Sequence, residues 1–185
     1  MVKGQVATMD HHAVIDFWRA AGSERWFAKD RQFDDAFRQR FFDLHLAAAR
    51  RELEAWLDAP ESALALLILL DQFPRNAFRD TAHMFATDAL ACDYARQVVD
   101  AGLDEQVEPD LRQFFYLPLE HSERLADQNL SVAFNRGISA ETLRYAELHR
   151  DVIARFGRFP HRNQLLGRES SSEEQAFLDA GGFAG

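Results

Sequence analysis

A single cysteine, Cys92, stands among 185 residues, which excludes an intrachain disulfide framework and suits a reducing compartment. On a helix Cys92 shares a face with Ala95 and Val99, the setting of a buried, inert thiol. Long apolar runs are missing too. The longest, Ala63 to Leu70, has eight residues and is closed by Asp71, well short of the roughly 20 that a membrane span requires. The opening MVKGQVATMD has no apolar stretch of secretory type, so residues 1–8 read as a tail and a cytoplasmic location is expected. Positive charge is in deficit: a formal charge of −9 disfavours broad binding to nucleic acid or to anionic membranes. No segment alternates β-branched or aromatic residues between turn signals, so a sheet has no support. Glycine-rich phosphate loops and a G-x-S-x-G elbow are absent, which removes the sequence signals for nucleotide binding and for a serine nucleophile. Neither a His pair at i, i+4 nor a Glu-x-x-His occurs, so neither a metal nor another cofactor is expected.

What is present is a chain of ordinary globular composition, with 47% apolar residues, 28% charged residues and sixteen Phe. Its length suits a single domain over residues 1–185 that buries roughly 70% of the unfolded surface, and no low-complexity linker divides it. Apolar spacing near 3.6 recurs almost throughout and predicts an all-α fold of about eight helices. Asp10 suits the cap of a first helix, and Phe33, Phe37, Phe41, Leu44 and Ala48 form the stripe of a longer one. Pro60 opens a helix that is apolar all round and therefore central; Pro74 is expected to stop it near Phe73. Thr87 or Asp88 caps the next helix and Gly102 ends it. Pro118 predicts a kink or break between Phe115 and Leu119. Ser139 and Gly157 bracket a later helix, and Ser170 and Ser171 each stand three residues before a Glu, a capping-box spacing for a short terminal one.

Several strings carry a family resemblance. They are Phe17-Trp18, Trp26-Phe27, Asp30 with Phe33-Asp34, LLDQFPRNAFR from Leu69 to Arg79, and Phe85 with Asp88. YLPLEHSE from Tyr116 to Glu123, Gln128, and RFGRFPHRNQLLGR from Arg155 to Arg168 complete the set. On these the chain resembles, nearly end to end, the bacterial domain-of-unknown-function family 924. The resemblance implies packed helix pairs similar to tetratricopeptide-repeat proteins, and it implies no activity. Ser170-Ser171 departs from the Ser-Thr pair more usual before the acidic residues, which touches only a cap.

Candidate chemistry gathers at two similar helix ends, Phe73-Pro74-Arg75-Asn76 and Phe159-Pro160-His161-Arg162-Asn163. Between Arg144 and Arg168 six Arg and two His face only Glu147 and Asp151. Arginine forks match carboxylate or phosphate, and the neighbouring aromatics suit an anion with an apolar part. The expected ligand-binding set is Arg75, Asn76, Arg79, Tyr116, His121, Arg158, His161, Arg162 and Asn163. These Arg equally suit pairing with the chain's own Asp71 or Asp88. His121 and His149 lie on helix stripes that partly bury them; Glu120 and Arg124 read as an i, i+4 surface pair. Three functions stay open. One is a module that binds an anionic small molecule or an acidic peptide end. Another is an enzyme using His121 or His161 as acid or base. The third is a structural interaction protein.

Overall fold

The computed structural model describes residues 10–183; the tail expected over residues 1–8 lies outside them. Among the described residues the chain is helical and has no strand. Helices α1 (His11–Ala21), α2 (Ser23–Trp26) and α3 (Arg31–Ala49) precede α4 (Pro60–Leu67), a π-helical turn (Ile68–Gln72) and α5 (Phe73–Ala77). Then follow α6 (Asp88–Asp100), α7 (Pro109–Glu120), α8 (Leu125–Asn135), α9 (Ala140–Phe156) and α10 (Ser172–Asp179). Neighbours pack in pairs: α1 on α4, α3 on α5, α6 on α7, α7 on α8 and α8 on α9. None of the described helices is long and apolar enough to cross a membrane.

The caps follow the sequence. Asp10 accepts the His12 amide at 2.9 Å, and Ser139 with Thr142 and Ser171 with Glu174 form reciprocal capping boxes. Gly157 closes α9 in the left-handed conformation, where a Cβ would be strained. Thr87 precedes α6 but caps nothing; its hydroxyl is used elsewhere.

Residues 60–77 run through the middle of the fold, and from Ala63 to Phe73 all are buried. Pro74 does not stop this helix. The Phe73 amide reaches back to Ile68 in a π turn, so Leu69 loses its amide partner, and Leu70 loses its own because Pro74 has no N–H. Both carbonyls are satisfied by side chains from other elements. His45 Nδ1 donates to Leu69 at 2.9 Å and Thr87 Oγ1 donates to Leu70 at 2.5 Å. Pro118 likewise sits inside α7 without ending it, and the helix continues to Glu120.

Two apolar clusters result. The larger joins the buried Phe33, Phe37 and Phe41 of α3 to Trp18, Phe73 and Phe114, with Phe17 stacked 5.2 Å from both Phe33 and Phe37. The smaller gathers Val152, Ile153 and Phe159 with Phe156, Phe177 and Phe183. A polar cluster connects them.

Candidate functional site

The π turn places Asp71 at the polar seam, 1% exposed. Burial alone would raise its carboxyl pKa, but Arg75 at 3.3 Å and His121 at 2.7 Å outweigh that and hold it well below the usual carboxylate range. Its other oxygen accepts from Gln72 Nε2 at 2.7 Å. Burial and the Arg75 charge lower the His121 pKa, so the imidazole is neutral. A carboxylate only accepts, so Nδ1 carries the proton and Nε2, which no described residue contacts by hydrogen bond, presents a lone pair.

Asp88, at the start of α6, joins the two similar helix ends. Arg75 grips it with two bonds of 2.8 and 3.1 Å, and Arg162 Nη1 reaches it at 3.2 Å. Arg162 is 6% exposed, its guanidinium lying 4.6 Å from the Phe85 ring and 4.4 Å from the Phe159 ring. Its Nε is sealed from solvent without a partner. Burial pushes this guanidinium down to about 10 against the pull of Asp88, with Arg75 adding to the drop. Sealed, unpartnered atoms recur along this connector: His161 Nδ1, Asn163 Oδ1 and Arg168 Nε join Arg162 Nε.

Behind His121, His149 lies with its ring centre 6.0 Å away, its Nδ1 at 2.8 Å from the Tyr145 carbonyl and 3.0 Å from Glu120. Burial lowers His149 to about 3 and His161 to about 4, and raises Glu120 to about 8. All three are therefore uncharged at neutral pH. The surface pair expected for Glu120 and Arg124 does not form: Glu120 is 3% exposed and faces His149 and Ser131. Glu123 and Asp127 each have an Arg of their own, Arg168 at 2.7 Å and Arg96. Asp71, Asp88 and Glu123 thus balance Arg75, Arg162 and Arg168.

The remaining candidates are placed elsewhere. Arg79 grips Asp34 with bonds of 2.6 and 3.0 Å and also holds Asn76 Oδ1 at 2.9 Å, tying α5 to α3. Arg158 grips Glu174 at 2.6 and 2.7 Å, and the Asn163 amide meets Ser170 Oγ at 3.1 Å. Tyr116 donates to Asp104 at 2.6 Å and lines a separate hollow. Arg75, His121 and Arg162 are joined through Asp71 and Asp88; His161 bonds to none of them and packs its ring 5.5 Å from Phe159. Residues 76, 79, 116, 158 and 163 do not join the seam through their side-chain bonds. Sequence reasoning missed Phe85 as a stacking plate and Glu120 as a buried group. The run Phe114 to Leu119, apolar throughout apart from the Tyr116 hydroxyl, was the available sign that this end of α7 is enclosed.

The class so defined is an all-α fold of packed helix pairs with a buried Asp-Arg-His cluster between two aromatic cores. The chain belongs to the family described as bacterial protein of unknown function (DUF924), whose model matches residues 14–182. A solved structure of a protein of unknown function from Agrobacterium tumefaciens is similar, with 51% identity, a TM-score of 0.90, and coverage of 92% of this chain and 97% of that one. No curated protein matches the sequence.

Proposed function

We propose that the protein is a non-covalent binding module for an anionic small molecule or an acidic peptide end, with His121, His161, Arg75 and Arg162 at the site. What carries the reading is Arg162. A guanidinium has five donors; among the described residues this one meets a single acceptor, at 3.2 Å, and that acceptor is already gripped twice by Arg75. A buried cation in that condition carries a large desolvation cost that an incoming anion offsets through charge-assisted bonds. The flanking Phe rings suit an apolar part of the same molecule.

The test is calorimetric titration of the full chain with inorganic phosphate and with acetate, repeated on Arg162→Lys. Lysine keeps the charge and loses the fork, so affinity for the better anion should fall about tenfold, or 1.4 kcal/mol, while thermal stability falls less. No saturable heat from either anion, or equal losses of binding and stability, would assign Arg162 to an internal role.

A second reading, an enzyme, rests on the Asp71–His121 contact of 2.7 Å. A neutral imidazole oriented by a carboxylate, with Nε2 unbonded, has the form of a general base. Chemical change of the bound anion that stops in His121→Gln would support it over simple binding.

A further inference from the structure

The C-terminal end of α6, the start of the next connection, α7 and α8 surround a hollow of about 310 Å³. It shares no lining residue with the Arg162 cluster. Its volume lies at the small end of ligand pockets, which run from roughly 300 Å³. Val99, Phe134 and Ile138 supply apolar wall, and Asp104, Arg112 and Tyr116 supply polar groups, with the exposed Glu105 beside them.

The polar groups are arranged unusually. Asp104 is 5% exposed; its Oδ2 accepts from Tyr116 Oη at 2.6 Å, and no described residue donates to Oδ1. Arg112 gives one bond of 3.2 Å, from Nη2 to the Glu105 carbonyl, and its Nε has no partner. Asp104 and Arg112 line the same hollow, yet no ion pair within 4.0 Å joins them. Opposite charges at partly desolvated positions attract strongly, so two that line one hollow without pairing leave interactions for whatever enters. Burial raises the Tyr116 hydroxyl pKa above its ordinary value, with Asp104 adding to the rise. The phenol stays a neutral donor, and Asp104 keeps one oxygen that no described residue bonds.

A lone cation would meet Asp104, with Glu105 nearby, and leave Arg112 unmet; a lone anion would meet Arg112 and leave the buried Asp104 unmet. We infer that this hollow takes a small zwitterion, its ammonium on Asp104, its carboxylate on Arg112 and a short aliphatic stem against Phe134 and Ile138. That is the chemistry of a free aliphatic amino acid.

The test uses the full chain and three probes: L-leucine, isoamylamine, which has only the amine, and 4-methylpentanoate, which has only the acid. Leucine should give saturable binding by calorimetry, and each half-molecule should bind at least about tenfold more weakly. Asp104→Asn and Arg112→Gln should each weaken leucine about tenfold or more, with folding checked by circular dichroism. The comparison of probes on the unaltered chain keeps the test decisive even if a variant fails to fold. Absence of saturable leucine binding, or half-molecules that bind as well as leucine, overturns the inference; so does a folded Asp104→Asn with unchanged affinity.

Discussion

Arg162 sits between two phenyl rings with one acceptor within reach, whereas Arg79 and Arg158, from the same two helix ends, each grip a carboxylate with a full fork. That contrast separates an arginine that holds the fold together from one left with donors to offer. The neighbouring titratable groups set pH limits on the fold. Glu120, raised to about 8, keeps its proton in the folded chain and loses it near the ordinary 4.5 when unfolded. Stability from this group is therefore fully present below about pH 4.5 and is lost as pH rises through 8. His149 and His161, lowered to about 3 and 4 from 6.5, act in the opposite direction: their contribution is present above pH 6.5 and is lost as pH falls through 4 and 3. Glu120→Gln removes the first titration while keeping the shape. Between pH 5 and pH 8 the unaltered chain should lose about 2–4 kcal/mol relative to the variant, read from urea unfolding at the two pH values. Parallel stability curves would mean that Glu120 is ionised in the fold.

At the scale of elements, the central helix shows where sequence reading succeeds and where it stops. Asp10, Ser139 and Ser171 cap as expected, because capping is a contact between residues two or three apart. Gly157 ends α9 for an equally local reason. Pro74 is different. It ends a helix only if the carbonyls it leaves behind go unmet, and here Thr87 and His45, from distant positions, meet those of Leu70 and Leu69. Nothing near Pro74 encodes that help. Thr87 was legible as a helix-start residue, but its hydroxyl serves the central helix instead of the helix it precedes. The candidate site divides the same way. The two Arg-bearing helix ends stand out in the sequence, and Asp71 and Asp88 are the expected partners that Arg75 and Arg162 do reach. Asp34 and Glu174, the partners of Arg79 and Arg158, depend on packing. Thr87→Val should cost about 1–3 kcal/mol by leaving the Leu70 carbonyl unmet. Pro74→Ala restores an amide at that place, so the same Thr87→Val change should cost less in the Pro74→Ala background. A double-mutant cycle by chemical unfolding measures the difference, and additive losses would mean that the hydroxyl and the missing amide are unrelated.

Over the whole molecule, an acidic chain concentrates arginine near its C-terminal third and then neutralises most of it. Of the six Arg from Arg144 to Arg168, five make ion pairs with the chain's own carboxylates, and Arg144 lies 4.5 Å from the Tyr145 ring instead. Exposed pairs such as Arg155–Glu173 contribute little, so the local excess of arginine is not a broad basic surface. Interest narrows to the seam, where three carboxylates and three guanidinium groups balance around neutral His121, His149 and His161. An anion entering there adds uncompensated negative charge, which favours protonation of the imidazole nearest to it. Nuclear magnetic resonance of the histidine rings, titrated in pH with and without inorganic phosphate, observes this directly. If the seam binds anions, the titration of His161 or His121 moves to higher pH when phosphate is present, and the shift disappears in Arg162→Lys; imidazole titrations unmoved by phosphate would contradict an anion site at Arg162.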